Sequence, residues 1–188
     1  MVLSDNVRTP PGLTARLSGY RVETDSAERL RRLRPGGFRD PKDGGGPGGA
    51  GPDDGAAARA RPGTEDDIDR LTRFYERAPD GIRRGRDSVR RSIGGGRRTH
   101  FIEHDGEVAA AALTTAELPG LAMVGGVYAL PTAGRTALTH ALWAITQALL
   151  AESKVVCTVT HDPAVDALCD RLGFEVVGPW RTVHLVRR

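Results

Sequence analysis

Lysine is almost missing from this chain: of 27 basic residues only Lys42 and Lys154 are Lys, and the other 25 are Arg. The net charge is only +3, so the bias reads as coding composition and not as a polycationic surface. Cysteine is as scarce. Cys157 and Cys169 are too few for a disulfide framework or a four-ligand zinc site, which makes a reduced, cytoplasmic setting the default expectation. No run approaches the ~18 apolar residues that a membrane span needs, and residues 1–11 lack the apolar core of a secretion signal. A membrane is therefore not an expected partner. Aromatic residues make up 5% of the chain and none interleaves with its basic cluster, Arg83, Arg84, Arg86, Arg90, Arg91, Arg97 and Arg98, so nucleic acid is not an expected partner either. No Ser-His-Asp order, metal-ligand spacing or Walker loop stands out, so hydrolase, metal and nucleotidase readings gain nothing.

What is present is a chain of 188 residues in three stretches of unequal regularity. Residues 1–34 form a short segment too small to fold alone, either docked on the rest or disordered. Within it 13–22 alternate weakly, and 25–34 read as a basic helix capped by Ser26. Residues 35–63 hold ten Gly and five Pro, a composition that builds no core, and 35–56 are expected to be a linker. From 57 to 188 the pattern becomes that of a single α/β domain.

The order predicted there is strand, two helices, three strands, helix, strand, helix, closing strands. The first strand falls at 57–61. Thr64-Glu65-Asp66-Asp67 opens a helix whose Ile68, Leu71, Tyr75 and Ala78 share one face. Ile82, Val89 and Ile93 stripe an Arg-rich second helix that stops at the triple glycine 94–96. Strands at 99–104 and 107–115 flank the hairpin signal Asp105-Gly106. A third strand spans 121–130 with Gly125-Gly126 inside it, and paired glycines in a strand indicate a bulge or a close backbone approach. A helix over 133–152 follows, then a buried strand at 154–160. Asp162-Pro163 opens a last helix that ends at Gly173, and two short strands, 174–177 and 182–186, close the fold. The long strand feeds a helix N-terminus at its carboxyl end, the kind of junction where open α/β sheets bind ligands and where phosphate is favoured.

The stretch Ala122-Met123-Val124-Gly125-Gly126-Val127-Tyr128-Ala129-Leu130-Pro131 resembles the GNAT superfamily of acyl-CoA-dependent N-acetyltransferases. So do Asp162-Pro163-Ala164 through Leu172-Gly173-Phe174, and Val177-Gly178-Pro179-Trp180 after them. The resemblance covers 57–188. It implies a mixed, mostly antiparallel sheet with a splayed strand pair and flanking helices, and transfer of an acetyl group from acetyl-CoA to a primary amine of a small molecule or protein, without a metal. It also implies that Val127, Tyr128, Ala129 and Leu130 offer backbone groups to the pantetheine arm, and that the turn Gly134, Arg135, Thr136, Ala137, Leu138 and Thr139 meets the pyrophosphate.

The chain departs from the family's Arg/Gln-x-x-Gly-x-Gly/Ala turn. Gly134 stands where Arg or Gln is usual, Ala137 where Gly is usual, and Thr139 where the small residue is usual. The methyl of Ala137 and the hydroxyl of Thr139 are expected to crowd that turn. The usual acid, a Tyr, is replaced by Cys169. His161, just past the strand at 154–160, and Glu117, before the bulged strand, are candidate bases for the amine. Two readings stand: an N-acetyltransferase, or a GNAT-fold protein impaired in catalysis that serves as a binding or regulatory module. Whether the chain forms a homodimer through its terminal strands is left open.

Overall fold

A computed structural model describes residues 2–5, 20–39, 60–95 and 97–187. The expected linker lies for the most part outside the described residues, as do residues 57–59 of the expected first strand. Eight strands form one sheet: β1 (Val2–Asp5), β2 (Tyr20–Leu33), β3 (Arg61–Pro62), β4 (Thr99–His104), β5 (Glu107–Leu118), β6 (Leu121–Ala129), β7 (Val155–Thr160) and β8 (Glu175–Arg187), in the order β1-β8-β2-β7-β6-β5-β4-β3. Among the described residues the β6–β7 pair alone is parallel. Four helices complete the fold: α1 (Ile68–Glu76), α2 (Arg86–Gly94), α3 (Gly134–Ala151) and α4 (Pro163–Leu172). The mixed α/β class with flanking helices is the one expected.

The sheet is covered on both sides because its central strands alternate two apolar faces. Leu71, Phe74 and Tyr75 of α1 and Val89 of α2 pack on Phe101, Val108, Ala111 and Leu113. The other face receives Leu142, Ile145 and Leu149 of α3 and Leu168, Cys169 and Leu172 of α4, against Leu33, Ala112, Ala122, Val124 and Val156. The turn into α1 is capped as its sequence implies: the Thr64 N–H and hydroxyl both donate to Asp67 Oδ2 at 2.9 Å. The β4–β5 turn also follows its residues, with Asp105 at φ 51° and Gly106 at φ 80°, the pair of left-handed conformations a tight hairpin needs.

Two expectations fail. Residues 25–34 are not a helix but the second half of β2, a 14-residue strand inserted between β7 and β8. Leu30 and Leu33 sit at helical spacing, yet the pattern that prevails is the strand's period of two, with Arg31 and Leu33 buried and Arg32 half-exposed between them. Pairing on both edges, Arg29–Leu33 with β7 and Tyr20–Arg32 with β8, satisfies a ladder on each side and overrides local propensity. Arg31 is 2% exposed and its guanidinium joins β2 to α4 through Asp166 at 2.7 Å and Asp170 at 2.5 Å.

The second failure is the break expected at Gly178-Pro179, because β8 runs through both as one strand. Its pairing with β2 continues there, Gly178 opposite Leu30 and Pro179 opposite Arg29. Among the described residues β1 pairs with β8 from Arg181 to His184 and none pairs with Pro179 on that side, where a proline without an N–H is tolerated.

Candidate active site

The site begins as a defect in the β5–β6 ladder. Ala111 pairs with Tyr128 and Leu113 with Gly125, so two steps along β5 match three along β6. The extra residue is a bulge at Gly126, whose φ of +56° favours glycine. Space is also short there. A Cβ on Gly125 would stand 2.8 Å from Thr115 Cγ2, and one on Gly126 would stand 3.1 Å from Leu113 Cγ. The fully buried Tyr75 donates its hydroxyl hydrogen to the Gly126 carbonyl at 3.0 Å. Burial pushes the Tyr75 phenol above its usual range, so it stays a donor.

Beyond the bulge the sheet opens. The last β6–β7 pair is Val124 with Thr158, although β6 stays paired with β5 as far as Ala129 and β7 with β2 as far as Thr160. The two strands therefore diverge at their carboxyl ends and leave a wedge. At its end a short 3-10 turn, Pro131–Ala133, leads into α3, where Gly134 has φ +71° and open space around its Cβ position. The first N–H groups of an 18-residue helix point out beside it and carry the positive end of its dipole. Strand divergence with free backbone, and a helix N-terminus at its mouth, suit a long amide-bearing chain that ends in a pyrophosphate.

The predicted site residues fall into three groups. Val127, Tyr128 and Ala129 lie on the diverging part of β6, with the Tyr128 ring 5.2 Å from Phe74 and its hydroxyl donating to the Arg77 carbonyl at 3.2 Å. Gly134, Arg135 and Thr136 are exposed at the start of α3. Inward-facing Ala137 packs against Ile102, Ala110 and Ala141, and Leu138 packs on the cluster around Leu142, so the Ala137 methyl is turned from the mouth that it was expected to crowd. Thr139 donates its hydroxyl to the Arg135 carbonyl at 2.9 Å. The Leu130 backbone is already engaged: its N–H donates to the Ala109 carbonyl and its carbonyl accepts from the Ala133 N–H, both at 2.9 Å.

The three candidate acid–base residues are not together. His161 stands one residue past β7 at the wedge, its side chain 71% exposed and its Nδ1 3.5 Å from Glu28 Oε1. Glu117 is at the other end of β6, beside Ala122, about 15 Å along the strand from the level of Val127. Its carboxylate is held by Arg98 and by Lys154 Nζ at 2.5 Å. Burial pushes the Glu117 carboxyl up, but the hydrogen bonds from Arg98 and Lys154 outweigh it and the net direction is down. Cys169 is fully buried in the α3–α4 core, and burial pushes its thiol up to about 12. Among the described residues no group of three or more His, Cys, Asp or Glu could hold a metal ion, and no helix is long and apolar enough to cross a membrane.

No family profile matches the sequence, and no curated protein does either. Solved structures do. A protein assigned to the GNAT family of acetyltransferases, from Novosphingobium aromaticivorans, is 19% identical and superposes with a TM-score of 0.69 over 100% of this chain and 74% of its own. This is the GNAT fold. The same fold is found in a GCN5-related N-acetyltransferase from Kribbella flavida, 20% identical with a TM-score of 0.57, over 92% of this chain and 63% of its own. N-myristoyltransferase of Saccharomyces cerevisiae with bound myristoyl-CoA also matches, at 14% identity and a TM-score of 0.56, over 85% of this chain and 47% of its own. In GNAT-fold terms the wedge is the splayed strand pair that the resemblance implied.

Sequence reasoning missed Tyr75 and Glu28 as contributors to the wedge. Tyr75 read as one more apolar position on α1, and only its hydroxyl distinguishes it. Glu28 had no signal, because its neighbour His161 is brought near by the insertion of β2.

Proposed function

We propose that this chain is an acetyl-CoA-dependent N-acetyltransferase acting on a primary amine of a small molecule or protein. The observation that carries the reading is the wedge between β6 and β7, opened by the Gly126 bulge and closed at its mouth by the exposed start of α3. A GNAT-fold neighbour that holds myristoyl-CoA supports a CoA thioester as the donor class.

In this reading the backbone of Val127, Tyr128 and Ala129 meets the pantetheine amides, and Gly134, Arg135 and Thr136 meet the pyrophosphate. The glycine that gives the phosphate its close approach is Gly134, while Ala137 packs the helix to the sheet. His161 takes the ammonium proton of the acceptor. The amine nitrogen then attacks the thioester carbonyl, a C–N bond forms, the nitrogen releases its second proton to solvent, the C–S bond breaks, and the departing thiolate takes a proton from solvent. Backbone N–H groups of the bulged strand face the oxyanion. Neither Cys169 nor Glu117 has a part: a buried thiol pushed up to about 12 gives up its proton poorly, and a carboxylate engaged by two cations cannot accept one.

One observation favours the second reading, a binding or regulatory module: with Cys169 and Glu117 withdrawn, the acid–base chemistry rests on the exposed His161. Thiol release from acetyl-CoA over an amine panel separates the two. Saturable release with an acylated amine detected by mass supports the enzyme. Tight acetyl-CoA binding with no release above the uncatalysed rate supports the module.

A further inference from the structure

The carboxyl end of β7 carries a cluster that lies partly outside the region of family resemblance, because one member comes from the N-terminal quarter of the chain. Arg29 on β2 pairs with Thr160, so the preceding residue, Glu28, comes level with His161. One oxygen of its carboxylate, Oε1, lies 3.5 Å from His161 Nδ1. The other, Oε2, accepts from the Thr182 hydroxyl of β8 at 2.7 Å. The Glu28 side chain is 14% exposed and that of His161 is 71% exposed. A carboxylate fixed from below thus faces one nitrogen of an imidazole that reaches into solvent at the wedge. With Nδ1 beside the carboxylate, Nε2 is the nitrogen left for a proton from outside.

We propose that Glu28 is a positioning residue of the active site, which holds His161 through Nδ1 so that Nε2 takes the acceptor's proton, with Thr182 fixing Glu28 in turn. This rests on the acetyltransferase reading. The step balances without a further reactant. Nε2 gains the ammonium proton, the freed nitrogen lone pair forms the C–N bond, the nitrogen releases its second proton to solvent as the tetrahedral intermediate collapses, and CoA leaves with the C–S electrons and takes a proton from solvent. The role also explains why β2 must enter the sheet, since it brings a carboxylate that no residue of 57–188 supplies at that position.

Among the described residues, the other charged groups near His161 are engaged or lie on the opposite face of the sheet. Asp162, next in the chain, accepts from the Ala164 N–H at 2.8 Å. Arg29 belongs to the opposite face of β2 and pairs with Asp166 of α4 at 3.2 Å. Arg181 on β8 is opposite Ala27. Across the wedge the residues of β6 beyond the bulge include one titratable side chain, Tyr128. Among the described residues, Glu28 is the anion beside the His161 ring.

The test uses the full chain and two readouts, acylation kinetics and the His161 ring signals in NMR at one fixed pH. In Glu28→Gln the shape is kept and the charge removed, so the His161 ring signals should move, and kcat should fall by roughly tenfold with acetyl-CoA affinity unchanged, less than the ~100-fold or more that loss of a general base costs. Glu28→Asp, which keeps the carboxylate, should recover part of that loss. Thr182→Val should give a smaller effect of the same sign, and it serves as the test if Glu28→Gln does not fold. Unmoved His161 signals overturn the pairing. Moved signals with an unmoved kcat overturn the positioning role. If wild type binds acetyl-CoA but acylates no amine, the acetyltransferase reading fails and the role with it, while the His161 signals still read the pairing separately.

Discussion

Replacing Tyr75 with phenylalanine removes one oxygen and leaves the ring, so it isolates the bond between the Tyr75 hydroxyl and the Gly126 carbonyl at 3.0 Å. The site is fully buried, and the ring is wedged at 5.0 Å from Phe74, so no cavity term of consequence enters. What is lost is a buried hydrogen bond that leaves a carbonyl at the bulge without its partner, a cost of about 1–2 kcal/mol. For a chain of this size each kcal/mol lowers Tm by roughly 2–4 °C, so differential scanning calorimetry should show a fall of about 2–8 °C. The bulge should also loosen, so acetyl-CoA binding should weaken by several-fold. A Tm within 1 °C of wild type would refute the reasoning, because it would mean that the hydroxyl holds nothing. A lowered Tm with unchanged affinity would confine Tyr75 to the core and detach it from the wedge.

Other consequences are equally direct. Glu117 sits in a part-buried cluster with Arg98, Glu152 and Lys154, and Glu117→Ala should cost about 1.5–3 kcal/mol in urea denaturation, because Arg98 and Lys154 each lose one of two carboxylate partners and keep Glu152. Both carboxyls are lowered in the folded chain, Glu152 to about 2, so the stability they contribute is present above the ordinary carboxylate range and is lost as pH falls below about 4.5. Urea midpoints measured from pH 7 to pH 2.5 should fall along that limb, and Glu117→Gln should flatten it. Arg31→Met should destabilise by about 2–4 kcal/mol, because Asp166 at 15% exposure loses the nearer of its two cations. A loss below 1 kcal/mol would mean that β2 is not locked to α4 as described.

Much of the fold was legible where local and tertiary demands agree. The wide apolar face of α3, the Asp105-Gly106 hairpin and the Asp162-Pro163 cap each specify one conformation, and each appears as expected. β2 was not legible because its pairing partners lie far along the chain and its Arg-rich sequence has no strand propensity of its own. The continuation of β8 through Pro179 was hidden for the same reason: whether a proline stops a strand depends on which edge it faces. At the site the glycine pair marked the bulge correctly, since a left-handed residue in a strand leaves a sequence trace. The backbone bonds that occupy Leu130 leave none, and neither does the turning of Ala137 toward the sheet. Glu117 and Cys169 looked chemical by residue type, and only their neighbours show one as an ion-pair anchor and the other as core.

Calorimetric titration of the full chain with acetyl-CoA at moderate salt decides whether the wedge between β6 and β7 holds a CoA thioester. One site per chain with micromolar affinity is expected, weakened about tenfold or more in Gly134→Val, where a side chain would take the open turn beside the α3 N-terminus. Absence of binding up to millimolar acetyl-CoA, or binding indifferent to Gly134→Val and Tyr75→Phe alike, would contradict it.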